Sequence, residues 1–582
     1  MAGRNAGARL AMSVLTLASL ALGPLAADTS GLSVLPGAAV WVLALGMVWT
    51  LYGRLMRLKR WQAQPGLWAL AGLFAAVVTL GQSFQADGTA QWATDHAAQA
   101  LVMLLGRALL FYAGMRLALE ALTAAPRAPR RRGTAWMGPG LFMCWLPWYA
   151  CLFPGTVSND SHTQLRQIFG LDPVNNAHPV FQTWLIDLFR RLSDALGLGA
   201  DGAVALYCVV QAALMAWLLG ALLRRMWLEG APAWLRWGSL AFFALCPIFP
   251  VFAFCMGKDT NFAMATLFLA YAVQRAQTLG KPGLGMTLRL ALAAVLCLLL
   301  RNAGVYLAAV TLGLLLAWTL RRARRKAKLW AMPLGALGAL GCAYLTLHLA
   351  VLPSLSIAPM PHSEEYSLPL QQVARTVASH DLTPEEARAI DGALALDGLK
   401  EAYNGELSDP VKALWREDAT PQQKSAFWRM WVRLGLKHPL TYLSATFHNT
   451  YGYLYPGYLI LIKPNLIVGD QSSRTAQVEG LFAYTVNPAS AGVKALDDAL
   501  LAHPLGRVLL CPGLYGWVTL FAFACLLKRG ARGLAVCASP ALLTLAGLLL
   551  SAVNGYFRYA MPLYFSAPLL MWLVWRSRKA KV

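Results

Sequence analysis

Phe153-Pro-Gly-Thr-Val-Ser-Asn-Asp160-Ser-His162-Thr-Gln-Leu-Arg166, followed by Asn175-Asn-Ala-His178-Pro179-Val-Phe181, is a dense polar stretch set between two apolar runs. A carboxylate, two histidines and an arginine this close to lipid-compatible sequence are costly unless they have a function. The runs on either side, 135–153 and 203–222, are about as long as a helix needs to be to cross a hydrocarbon core of about 30 Å.

Working outward, the same alternation of apolar runs and short polar breaks fills the chain. Of its 582 residues, 58% are hydrophobic and only 13% are charged, and its mean hydropathy is +0.50. A soluble protein would carry about a quarter charged residues. The sequence predicts an all-α polytopic membrane protein with about fourteen transmembrane helices. They fall near 10–27, 38–54, 66–84, 98–122, 135–153, 203–222, 235–255, 260–275, 286–300, 303–320, 329–351, 506–527, 533–552 and 558–575. Arg4 and Arg9 ahead of a run ending at Ala27 resemble a secretory leader, but an uncleaved first span suits a chain with so many further spans. All ten cysteines fall in or at the ends of apolar runs, so no disulfide framework is expected.

A net charge of +23 raises the question of nucleic acid, and the placement of the charge answers it. The basic residues stand in short clusters at the ends of apolar runs: Arg54 to Arg60, Arg127 to Arg132, Arg224 and Arg225, Arg321 to Lys328, Lys528 to Arg532, and Arg576 to Lys581. Cytoplasmic loops have this form under the positive-inside rule. The expected partner is the lipid bilayer and not a nucleic acid, with both chain ends cytoplasmic. Four regions follow: N-terminal helices over 1–134, a transmembrane core over 135–351 with a first large outer loop at 154–202, an extracytoplasmic helical region over 352–505, and C-terminal helices over 506–582. Leu440 to Ile462 is apolar and aromatic, but counting it as a span would invert Lys528 and Arg529, so it is read as interfacial or re-entrant. Thr383-Pro384-Glu-Glu386 reads as a helix start within the outer region.

With that topology, further polar residues fall on the same outer face as Asp160 and His178. Gly257-Lys258-Asp259-Thr-Asn261 forms a hairpin between two runs, Arg301-Asn302 interrupts another, and Arg558-Tyr559 opens the last. Each alone has an ordinary reading as a snorkelling cation, a solvated turn or an interfacial anchor. Their shared sidedness, opposite to the basic loops, points instead to a site for an anionic ligand with a base nearby. Phosphate held where lipid meets water calls for such fixed cations.

These segments, together with Leu368-Pro-Leu-Gln-Gln-Val-Ala-Arg375, Asp409-Pro-Val-Lys412 and His438-Pro-Leu-Thr-Tyr442, resemble an uncharacterised bacterial family of multi-spanning membrane proteins. That family looks like a branch of the C-type glycosyltransferase (GT-C) superfamily. The resemblance runs from about residue 135 onward. It implies an inner-membrane enzyme, active on the extracytoplasmic face, that transfers a sugar with inversion from a polyprenyl-phosphate donor to a glycan, lipid or protein acceptor. In that superfamily an acidic residue of the first large outer loop is base or metal ligand, and Asp160 holds the matching position. Many members carry a second carboxylate there, whereas Asn159 and Ser161 flank Asp160 here. A divalent cation is therefore an open question, with His162 or His178 the candidates to complete its ligands. The resemblance leaves Asp160 and His178 as candidate catalytic residues, and Lys258, Asp259, Arg301, Asn302, Arg558 and Tyr559 as candidate substrate-binding residues. A transporter or flippase of an anionic lipid-linked substrate is the main rival, followed by a polysaccharide polymerase or ligase. A transporter should show inverted repeats and charges at the bilayer midplane.

Overall fold

In lipid an apolar run can satisfy its backbone polar groups only within itself, and the predicted runs are helical where the structure describes them, even with Pro147, Pro540, Pro562 and Pro568 inside them. The helices are Ala2–Ala21, Ala38–Met56, Pro65–Asp87, Ala97–Ala121, Met137–Leu152, Gly199–Leu228, Lys258–Thr278, Leu284–Leu300, Gly304–Arg322, Ala331–Leu345, Pro512–Lys528, Arg532–Leu548 and Phe557–Arg576. The run predicted at 235–255 is broken into Ala233–Leu245 and Ile248–Ala253, because Pro247 has no N–H to continue the helix. The computed structural model describes residues 2–24, 38–58, 62, 64–123, 125, 134–279, 282–322, 328–458, 478, 480–551 and 553–580. Within these, five helices are long and apolar enough to cross a membrane: Pro65–Asp87, Ala97–Ala121, Gly199–Leu228, Gly304–Arg322 and Ala331–Ser354. Five further apolar helices are shorter.

Lys258–Thr278 and Phe557–Arg576 occupy the middle of the bundle. Almost every residue of Phe557–Arg576 is buried, and it packs against Lys258–Thr278, Pro512–Lys528 and Arg532–Leu548. A helix buried on all sides is one surrounded by others. Small residues set the close approaches, as expected where lipid supplies no hydrophobic drive between helices. A Cβ on Gly220 would sit 2.5 Å from Gly138 Cα, and one on Gly106 would sit 2.5 Å from Ser19 Oγ.

The 352–505 region has a core of its own, built on Leu370, Val373, Ile390, Leu394, Phe427 and Leu434. The expected start at Thr383 is a full capping box: its Oγ1 accepts from Glu386 N at 3.3 Å, and Glu386 Oε2 accepts from Thr383 N at 2.8 Å. Pro439–His448 is a ten-residue helix, about 15 Å long and too short to cross. Leu436, Leu440 and Leu443 stand 80%, 78% and 65% exposed at its bend with the preceding helix, which suits an interfacial element. The remainder of the stretch predicted at 440–462, from 459 on, lies outside the described residues.

Candidate functional site

Two short strands decide where the polar residues meet. Thr156–Val157 pairs in parallel with Cys255–Met256, Thr156 opposite Cys255 and Val157 opposite Met256. Each strand leads straight into a helix, Asn159–Ile168 and Lys258–Thr278, so the pairing sets two helix N-termini side by side. Asp160, Lys258 and Asp259 therefore lie in first helical turns. This corrects the reading of Asp160 as a loop residue and of Lys258-Asp259 as a hairpin tip. Polar, capping-prone sequence starts helices as readily as it makes loops: Ser158 Oγ accepts from Ser161 N at 3.2 Å, and Ser161 Oγ donates to Met256 O at 3.0 Å. Carboxylates in the first turn also meet the positive helix end. Gly155, at φ +135°, brings the chain past Cys208, whose Sγ would lie 2.5 Å from a Cβ there. Gln211 Nε2 holds the break before the second strand by donating to the carbonyls of Phe252, Ala253 and Cys255.

A continuous ionic network spans these helix ends. Lys258 Nζ lies 3.0 Å from Asp160 Oδ2 and 2.7 Å from His178 Nδ1. An ammonium has no acceptor, so Nδ1 must accept. Arg558, buried on the central helix, reaches Asp160 Oδ1 at 3.6 Å and Asp259 Oδ2 at 3.5 Å. Arg301 NH1 lies 3.8 Å from Asp259 Oδ1, and its guanidinium stacks over Tyr559 and Phe262 with centroids 4.9 and 5.4 Å away. Lys258, Arg301 and Arg558 outnumber Asp160 and Asp259, leaving one positive charge in excess. Burial alone would raise the Asp160 carboxyl, but Lys258 and Arg558 hold it well below the usual carboxylate range. Burial, reinforced by Lys258, pushes His178 down to about 4.

The sequence left a divalent cation open, and these residues do not fit one. The Lys258 ammonium stands between Asp160 and His178, and His162 takes no part in the network. Among the described residues no group of three His, Cys, Asp or Glu side chains could hold a metal.

Beside the network lies a cavity of about 570 Å³, lined by Arg301, Tyr559, Phe262, Tyr306, Leu548 and Glu364 among others. It runs between Gly304–Arg322 and Arg532–Leu548, apolar along most of its wall, with Arg301 and Glu364 its charged lining residues. Glu364 is held by Lys412 at 2.8 Å. Of the candidate residues, Arg301 and Tyr559 line this cavity, while Asp160, His178, Lys258, Asp259 and Arg558 form the network behind it. Asn302 faces away, donating to Asn176 O at 2.8 Å and so tying the segment between Asn159–Ile168 and Val180–Ala195 to the core.

A family model described as a family of unknown function, DUF6020, matches residues 172–582. The chain belongs to this family. No curated protein and no solved structure matches the chain. The region matched by DUF6020 includes His178, Lys258, Asp259, Arg301, Asn302, Arg558 and Tyr559, and begins shortly after Asp160.

Several contributors were not legible in the sequence. Tyr556 covers the Arg558 guanidinium with its centroid 4.7 Å away, two residues before it in the chain. Lys412 and Glu364 come from the 352–505 region, far along the chain. The N-terminal helices join the 352–505 region through Arg375, which donates to Gly88 O at 2.9 Å, to Tyr403 Oη at 3.0 Å and to His448 Nδ1 at 3.1 Å. Only the unusual burial of an arginine could have signalled this, and burial is a tertiary property.

Proposed function

We propose that this DUF6020 protein is a multi-pass membrane glycosyltransferase, GT-C-like with about fourteen crossing helices, that transfers a sugar from a polyprenyl-phosphate donor to an acceptor on the extracytoplasmic face of a bacterial inner membrane. The observation that carries this reading is the cavity in which an apolar wall ends at Arg301. An isoprenoid chain suits the wall, and a phosphate suits the arginine fork. The ionic chain from Arg301 through Asp259 and Arg558 to Asp160 then connects the donor's phosphate to a carboxylate that remains 18% exposed on the outer side.

In this reading the acceptor hydroxyl attacks the anomeric carbon opposite the phosphate. The new carbon–oxygen bond forms as the bond to phosphate oxygen breaks, and the electron pair leaves on the phosphate, where Arg301 stabilises it. The hydroxyl proton passes to Asp160. A carboxylate flanked by two cations is a weak base, but the attacking oxygen becomes strongly acidic once its bond to carbon forms, so late transfer to Asp160 is feasible. His178 keeps Lys258 against Asp160.

The test is purified full-length protein in lipid nanodiscs with a radiolabelled polyprenyl-phosphate sugar and membrane extract as acceptor. Transfer of label, with release of polyprenyl phosphate, is expected. A donor that crosses sealed proteoliposomes intact, with no loss of its sugar, would replace this reading with the flippase.

A further inference from the structure

At the opposite end of the same helices lies a second groove, of about 540 Å³, between Met137–Leu152, Gly199–Leu228, Lys258–Thr278 and Leu284–Leu300. Lys258 and Arg275 stand seventeen residues apart on one helix, about 25 Å at 1.5 Å per residue. The groove is therefore near the other bilayer surface if these helices cross, the one premise shared with the functional reading. Four arginines line it, Arg224, Arg225, Arg275 and Arg289, with Trp217, Phe268, Tyr271 and Met286 forming apolar and aromatic wall. No carboxylate lines it among the described residues. Arg225 is paired with Glu229 at 2.8 Å. Arg224, Arg275 and Arg289 have no ion-pair partner among the described residues, and the adjoining stretches 126–133 and 280–281 contain no Asp or Glu.

Three unneutralised guanidinium groups around one groove repel each other, and an anion seated between them removes that repulsion. The groove's other wall is lipid-compatible: Trp217 is 65% exposed and stands seven residues before Arg224 on the same helix, about 10 Å deeper, at acyl-chain depth. Phosphate chemistry at one end and acyl chemistry at the other describe an amphiphile. Basic pockets between helices on the positively charged side of a membrane protein take anionic lipid headgroups in this way. We propose that this groove is a binding site for an anionic phospholipid of the inner leaflet. Its phosphate lies among Arg224, Arg275 and Arg289, and its acyl chains lie along Trp217 and Phe268, each seven residues deeper on its helix than an arginine of the groove. Such a lipid would clamp Met137–Leu152 and Gly199–Leu228 to Lys258–Thr278 without contributing to chemistry at the far end.

Native mass spectrometry of the full-length protein in detergent, titrated with phosphatidylglycerol or phosphatidylcholine, tests this. Phosphatidylglycerol should bind in preference. Arg275→Gln with Arg289→Gln should weaken it about thirtyfold, at about 1 kcal/mol per arginine near an anionic lipid. Arg275→Lys with Arg289→Lys should retain most of the binding, which separates lost charge from damaged fold. Arg321→Gln with Arg322→Gln removes the same charge from a neighbouring helix end and should change affinity less than threefold. Equal loss in the two Gln pairs would overturn the proposal, as would equal binding of the two lipids. Glycerol 3-phosphate in large excess should leave the lipid in place. Full displacement by it would make this a site for soluble phosphates, and the lipid assignment would fall.

Discussion

Replacing Arg301 isolates the point where the apolar cavity meets charge. Its guanidinium stacks between Tyr559 and Phe262 and approaches Asp259 only to 3.8 Å, too far for a hydrogen bond. The donor fork thus remains free for a ligand. A hydrogen bond to a charged group contributes about 1.5–3 kcal/mol, and with the side chain 29% exposed the lower part of that range applies. Arg301→Ala should therefore weaken donor affinity about thirtyfold, or about 2 kcal/mol. Arg301→Lys keeps the charge but loses the planar fork and the two-sided stacking, so it should recover only about half of that free energy, leaving affinity about fivefold weak. The measurement is the Kd of a polyprenyl-phosphate sugar for the three proteins in nanodiscs, at matched thermal stability. Equal affinity in all three would remove Arg301 from the donor site. Lysine matching arginine while alanine fails would reduce its part to that of a point charge.

Other consequences are as direct. Asp160→Asn should slow transfer about a hundred- to ten-thousand-fold. It should also lower Tm, because Lys258 loses its carboxylate and Arg558 one of its two; near-normal turnover would rule Asp160 out as the base. Arg558→Met removes the buried cation that Asp160 and Asp259 share and should cost about 3–5 kcal/mol of stability, read as a large fall in Tm, and an unchanged Tm would contradict the network. His178 has a folded pKa of about 4, below its ordinary 6.5. Its contribution to stability is therefore present above pH 6.5 and lost as pH falls toward 4, where a second N–H would face the Lys258 ammonium. Tm should drop through that window and drop less in His178→Gln, with Asp160 ionised throughout. Cysteines at Asn159 and Ser379, exposed in the structure, should react with an impermeant thiol reagent in permeabilised-envelope cells lacking Cys144 and Cys342. A cysteine at Thr278 should not, and the reverse pattern would invert the topology.

The helices were legible because their signal is local. An uninterrupted apolar run of sufficient length has few alternatives to a helix, and basic clusters mark loop ends without reference to anything distant. Thr383-Pro384-Glu-Glu386 likewise contains its own start signal. Asp160, His178, Lys258, Arg301 and Arg558 could be gathered to one face for the same reason, since sidedness follows from counting spans. What the sequence could not determine is which of them touch. Lys258 sits between Asp160 and His178, in the place a metal would need, only because a two-residue strand pairing across about a hundred residues sets two helix starts in register. The division of labour between Arg301 at the cavity and Asn302 tied to Asn176 is equally tertiary, as adjacent residues at a helix break point in different directions. The cavity wall and the arginine groove are assembled from helices far apart in the chain. Charge and apolarity are properties of residues, but a site is a property of distances between them, and packing sets those distances.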